Sequence, residues 1–320
     1  MALSDFSGII PVQYSTQIIQ EAVRASAVLT LGNRVPMGSN VQSMPVPATL
    51  PTAHFVSAPG GRKPYSDLSL HGQNITAEEV AAVVAIPDVY LEDSTINLWD
   101  WVRPRVAEAI GVALDNAVMF GVGSPASYPA GGIVAAAYST NIGTGADGDD
   151  AADLVNLAMS AVEVQGVNVT GHAADLVVKG ALRGVRDKNG ALLMGTQQVT
   201  DDVIQTIYGV PASYVSFTQP IPDLITGGWN NLIIGVRSDI RYEINPAGVI
   251  ADGSGAVIVS GFTDNVTPMK VWGRFGCTIV KPVTVRTPTG AKPFAIATIA
   301  APTGLAAQEA DSGSKRAASK

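Results

Sequence analysis

Residues 26–123 read SAVLTLGNRVPMGSNVQSMPVPATLPTAHFVSAPGGRKPYSDLSLHGQNITAEEVAAVVAIPDVYLEDSTINLWDWVRPRVAEAIGVALDNAVMFGVG. The order of parts is a strand, a long polar excursion, a returning strand and one long amphipathic helix. The helix is the clearest of them. Leu98, Trp101, Val102, Val106, Ala109, Ile110, Ala113, Leu114, Ala117 and Phe120 recur at helical spacing and make one apolar stripe. Asn97 and Asp100 form a capping pair at its start, with the acid near the positive end of the helix dipole. Pro104 removes one backbone hydrogen bond and crowds the carbonyl of Asp100, which predicts a bend and not a break.

Upstream of the helix, residues 76–86 (TAEEVAAVVAI) fit a strand or a helix, because Val80, Val83 and Val84 favour neither; Pro87 ends the segment. Residues 35–51 carry Pro36, Pro45, Pro47 and Pro51, which restricts them to extended or irregular structure. Residues 52–75 hold Pro59, Gly60, Gly61, Pro64 and Gly72 together with Arg62 and Lys63, and have no core periodicity. Loops of that length in compact proteins are usually functional. Ser15 is an N-cap for the run TQIIQEAVRASAVLTL, whose Ile18, Ile19, Ala22, Val23 and Ala27 fall near one helical face. The first dozen residues read as an arm.

Past Gly121 the chain turns rich in Gly, Ser, Asn and Asp, marking entry into a second domain. Residues 149–164 predict another helix with acids in its first turn. Strand character follows around Leu232 to Val236 in NNLIIGVRSDIRYEI. FTDNVTPMKVWGRFGCTIV and KPVTVR alternate apolar and polar residues as half-buried strands do. Residues 301–320 lack a core pattern and read as a flexible tail.

Composition narrows the function. Charged residues are 15% of the chain, against about 25% in ordinary soluble proteins. So few charges protect a monomer poorly against self-association, which suggests a surface covered by other copies of the chain. The net charge of −7 argues against a dedicated nucleic-acid-binding module but not against a container for nucleic acid. The single Cys277 rules out an intrachain disulfide and fits a reducing cytoplasm. MALSDFSGII has no secretory signal pattern, and no apolar run approaches a membrane span.

Several pieces resemble, in family order, the major capsid proteins of tailed double-stranded DNA bacteriophages with the Hong Kong 97-like fold. They are SAVLTLGNRVPMGS, VAIPDVYLEDSTINLWDWVRPRVAEAIGVALDNAVMFG, RDKNGALLMG, IYGVPASYV, NNLIIGVRSDIRYEI and MKVWGRFGCTIVKP. Together they cover most of residues 15–300, and their order and spacing carry the specificity. The resemblance implies an α+β fold and decides for a strand over 76–86. It implies an N-terminal arm (1–30), a peripheral-domain strand (31–51), an extended β loop (52–75) and the rest of the peripheral domain (76–121) with a spine helix over 97–120. An axial domain (122–261), peripheral return strands (262–282), the axial domain's end (283–300) and the tail complete it.

The same resemblance implies a non-enzymatic head protein that self-assembles as hexamers and pentamers into an icosahedral shell around double-stranded DNA. The DNA would be held without sequence-specific binding, and no cofactor, metal or membrane is implied. A separate scaffolding protein, a portal protein and a decoration protein are the implied partners, in a virion assembled in the host bacterial cytoplasm. The expected inter-subunit contacts are His54, Phe55, Arg62, Lys63 and Tyr65 in the loop, with Trp99, Arg103 and Arg105 on the helix. Some relatives join a loop Lys to a neighbour's Asn by an isopeptide bond, for which Lys63 and Asn265 are the candidates; a charged loop tip and an ordinary turn are the favoured reading of the two residues. Where relatives often carry Trp-Val-Glu, this loop has His54, Phe55, Val56 and Ser57.

Other motifs reduce to structure. Gly121, Gly123 and Ala126 match G-x-G-x-x-A but follow a helix, so they read as a helix cap and turn. Asp147, Asp149, Asp150 and Asp153 lack calcium-loop spacing and read as helix capping. His54, His71 and His172 have no metal-ligand spacing, and Cys277 reads as a buried strand thiol. Two other readings stay open. One is an encapsulin-type bacterial compartment with the same fold around a cargo enzyme. The other is a soluble α+β enzyme or binding protein using the glycines after residue 121.

Overall fold

A computed structural model of the chain describes residues 26–56, 62–63, 65–139, 151–185, 206–219 and 222–298. The expected arm up to Ala25, the first part of the helix expected from Ser15, the RDKNGALLMG segment and the expected tail lie outside these residues. The described chain is α+β. Its first elements are α1 (Ala27–Leu31), β1 (Asn33–Pro36), β2 (Val41–Pro47), β3 (Leu70–Thr76), β4 (Glu78–Pro87), α2 (Asp88–Asp93) and α3 (Leu98–Asp115). Then come α4 (Gly132–Ala136), β5 (Tyr138–Ser139), α5 (Ala151–Glu163), β6 (Gly171–Ala174), α6 (Leu176–Gly184), β7 (Thr206–Ile207), β8 (Val210–Tyr214) and β9 (Leu224–Gly227). The last are β10 (Leu232–Ile244), β11 (Val249–Ala251), β12 (Val257–Ser260), α7 (Gly261–Asp264), β13 (Val266–Ile279) and β14 (Phe294–Ala297).

The long helix forms as its stripe requires and runs unbroken through Pro104. Its start is capped by Asn97: Trp99 N–H donates to Asn97 Oδ1 at 3.2 Å, and Asn97 Nδ2 donates to Asp100 Oδ2 at 2.7 Å. After Asp115 it widens into a π-helical turn, Asn116–Phe120, closed by Gly121 in the left-handed conformation (φ 70°). A side chain there would meet Gly131 Cα at 2.6 Å. The glycine motif after the helix is therefore a cap, as its context predicted.

Residues 78–87 are a strand. Val80, Ala82 and Val84 turn partly inward while Glu79, Ala81 and Val83 are exposed, the period of two that a helix lacks. Four sequence expectations are corrected. The helix ending at Leu31 starts at Ala27, because Ser26 accepts from Leu29 N–H and caps it. Residues 70–76, counted with the loop, are strand β3 paired to β2. Residues 261–264 are helical, not strand. KPVTVR is irregular: Thr284 Oγ1 donates to Gln165 O at 2.6 Å and Arg286 to Val164 O at 3.3 Å, so its polar groups serve loop contacts.

The described residues form two compact units. One gathers Glu79–Ala113 with Ser238–Arg274; the other takes Ser26–Glu78, Leu114–Arg237 and the chain from Phe275. In the first unit Val106, Ile110, Met269 and Val271 are the core, with Val80, Ala82, Val84, Trp99, Val102 and Ile240 packed on it. In the second, a six-stranded sheet of order β5-β14-β9-β6-β8-β7 packs on α5 and α6 through Leu154, Val155, Ala158, Val162, Val178 and Leu182. Trp229 and Phe294 meet edge to face at 5.3 Å. A further sheet of order β1-β10-β13-β4 includes the two long strands β10 and β13.

Candidate assembly surface

The described residues of the excursion between β2 and β3 are mostly exposed. The two strands pair antiparallel from Val41↔Thr76 to Pro47↔Leu70. Beyond Leu70 the ladder gives way to side-chain links, Thr49 Oγ1 with Ser69 Oγ at 2.9 Å and Thr52 N–H to Ser66 Oγ at 2.6 Å. The base is held by Met37, Ile75, Ala77 and Ile233, and by Gln73 Nε2 donating to Thr278 Oγ1 at 2.9 Å.

Toward the tip the described large apolar side chains are exposed. Phe55 is fully exposed and Tyr65 is 88% exposed, while Leu50, Val56, Leu68 and Leu70 are also in solvent. Tyr65 hydroxyl donates to Asp67 Oδ1 at 3.4 Å, and His54 Nε2 lies 3.4 Å from Thr52 Oγ1; both are local contacts. Arg62 and Lys63 are exposed as well. These five loop residues share one surface element, and among the described residues none of the five belongs to a hydrophobic core.

On α3 the expected residues separate. Arg103 pairs with Asp100 at 3.1 Å in solvent, and Arg105 with Glu108 at 3.6 Å, half-buried. Trp99 packs against the core of the first unit. Trp101 is the exposed indole of the pair, with the Arg105 guanidinium 6.0 Å from its ring. Helical positions two apart point about 160° away from each other, given 3.6 residues per turn, so one tryptophan faces inward and the other outward, and which does so depends on where the sheet lies. Asn265 ends α7 in the left-handed conformation (φ 50°), and its carbonyl accepts from Asp88 N–H at 2.9 Å.

The titratable groups of the interior are insulated. His172 is fully buried in β6; its Nδ1 lies 2.6 Å from Thr226 Oγ1, and its Nε2 has no partner within hydrogen-bonding geometry among the described residues. Burial lowers its pKa to about 4, partly opposed by the Ile207 backbone. Burial pushes the Cys277 thiol up to about 12, so the sequence reading of an inert strand thiol holds. Tyr128 is raised by burial and donates its hydroxyl to Phe275 O at 2.8 Å. His54 and His71 are exposed. Among the described residues, no group of three or more His, Cys, Asp or Glu is placed to hold a metal ion. No helix among them is long and apolar enough to cross a membrane.

Comparison with known proteins agrees with this picture. The phage capsid family matches residues 7–289. This chain belongs to that family. A probable major capsid protein of Mycobacterium phage D29 is 26% identical over 65% of this capsid-family chain. The match spans 62% of that relative's length. A solved structure from Microbacterium phage Oxtober96 superposes with a TM-score of 0.73 at 27% identity, covering 93% of this chain and 99% of its own. The capsid of an empty GTA particle shares the fold at 17% identity and a TM-score of 0.60, over 94% of this chain and 98% of its own. The α+β class expected from the sequence is thus the one this family uses.

Proposed function

We propose that the chain is the major head protein of a tailed bacteriophage, tiling an icosahedral shell of Hong Kong 97 type as hexamers and pentamers around double-stranded DNA. The observation that carries this is the β2–β3 excursion, whose Phe55 and Tyr65 stand in solvent on an element with no core of its own. A Pro/Gly-rich loop in that condition is stabilised only by laying its apolar side chains on another subunit. The low charge content points the same way.

In this reading His54, Phe55, Arg62, Lys63 and Tyr65, with the exposed Arg103 and the half-buried Arg105 of α3, form the inter-subunit contacts. The peripheral domain takes α3 and the strands packed on it; the axial domain takes most of residues 122–261. A separate scaffolding protein, a portal and a decoration protein complete the head, which assembles in the host cytoplasm. The role is structural. No observation favours the encapsulin-type or pocketed-enzyme alternatives.

Negative-stain electron microscopy of the purified protein, expressed alone and with its neighbouring genes, tests the proposal. Hollow shells, tubes or capsomer rings are expected. A monodisperse monomer in both preparations overturns it.

A further inference from the structure

The β11–β12 hairpin of the first unit carries apolar side chains on both of its faces. Its strands pair Val249↔Ser260, Ile250↔Val259 and Ala251↔Val257, with a bulge that leaves Ile258 between two pairs. Residues opposite each other in an antiparallel pair share a face, and a bulge sets two neighbours against one partner. Val249, Ala251, Val257 and Ile258 therefore lie on one face, and Ile250 and Val259 on the other. Regular pairing would set Ile258 against Ala251 and turn Val257 to the opposite face. The two faces differ in cover: Ile250 and Val259 are half-buried, whereas Val249, Val257 and Ile258 are 58%, 63% and 59% exposed. Between Pro246 and Thr263 the one charged residue is Asp252, in the turn. Its carboxylate is occupied there, accepting from Ser254 N–H at 2.9 Å, the Ser254 hydroxyl at 2.6 Å and Ala256 N–H at 2.9 Å.

We propose that the exposed face of this hairpin packs on the same face of a second copy of the chain. The inference rests on the shell reading above and names a contact that the loop and α3 do not supply. Shape selects the occupant first: β-branched side chains on a pleated pair make a flat surface, and its complement is another sheet face. Charge selects it next. An identical face meets this one without like-charge repulsion, and neither face offers a group to a phosphate or to a charged partner. Size sets when the contact forms. The three exposed side chains make a patch on the order of 300 Å², well under the roughly 800 Å² that each partner gives to a stable two-body interface. The contact therefore holds only beside others, in the assembled state and not between free subunits.

The test uses the full chain, with particle yield followed against protein concentration. Val257→Asp with Ile258→Asp, and separately Val257→Lys with Ile258→Lys, each raise the concentration needed for particles at least about tenfold, because like charges then face one another. Mixing the two variants sets opposite charges together and restores assembly. An Asp variant that assembles as the parent does overturns the proposal. So does a mixture as deficient as its parts, which would mean that the face meets a different surface, of another copy or of a separate protein. A parent chain that stays monomeric sinks the shell reading, and this contact with it. A second measurement does not depend on how the charged variants fold. In particles under mild oxidation, Val257→Cys forms a disulfide between chains at least about tenfold faster than Val285→Cys, a position that is 94% exposed. Equal rates overturn the proposal.

Discussion

Ser26 and Asp115 meet across 89 residues of sequence: the Ser26 hydroxyl donates to Asp115 Oδ1 at 2.6 Å. The same carboxylate accepts from Ala27 N–H and Val28 N–H, each at 3.2 Å, so one buried acid satisfies the open start of α1. Asp115→Ala leaves three donors unpaired and is expected to lower stability by about 3 kcal/mol in urea unfolding. Asp115→Asn, which keeps one acceptor, loses roughly half of that. Equal loss in both variants would mean that cavity formation, not the hydrogen bonds, sets the effect.

His172 sets a pH dependence. Its folded pKa of about 4 lies below its unfolded value, so the unfolded chain binds the proton first. Its contribution to stability is complete above about pH 6.5 and is lost as pH falls toward 4, by about 3 kcal/mol in all. His172→Gln flattens the stability profile over that window. A profile as steep as that of the parent chain would assign the acid sensitivity to other groups.

Gly121 is required by both conformation and space. Gly121→Ala places a Cβ at positive φ against Gly131, and about 2 kcal/mol of stability is lost. Gly123→Ala is the informative comparison, since its φ is also positive but nothing lies within 4 Å of the added atom. Thermal unfolding should rank Gly121→Ala well below Gly123→Ala.

Cys277 reacts only when the strand opens. A thiol 2% exposed, with a pKa near 12, is expected to take up a thiol reagent at the rate of unfolding, and denaturant accelerates that rate. Prompt labelling of the native chain would contradict its burial.

Phe55 separates folding from assembly. Because its side chain is fully exposed, Phe55→Ala changes subunit stability by less than about 0.5 kcal/mol. If the loop seats on a neighbour, the same change lowers the denaturant concentration at which shells dissociate. Shells as resistant as those of the parent chain would remove Phe55 from the contact.

Much of this was readable in the sequence, for local reasons. The stripe from Leu98 to Phe120, the Asn97–Asp100 cap and Gly121 as a terminator depend on residues within a turn or two of one another, and all three appear. The excursion was marked by its prolines and glycines. Its strand boundary at Leu70 was not, because β3 is defined by pairing with β2, more than twenty residues away in the chain.

Resemblance to the family gave the α+β class; the residues by themselves determined the long helix, the inert cysteine and a loop without a core. Those follow from periodicity, capping and composition. Only the tertiary structure decided that Trp99 packs inward while Trp101 faces solvent, that Asp115 anchors Ser26, that KPVTVR is not a strand and that His172 is sealed from water. Each of these depends on which distant segment supplies the opposing surface or hydrogen-bond partner, and spacing along the chain does not encode that.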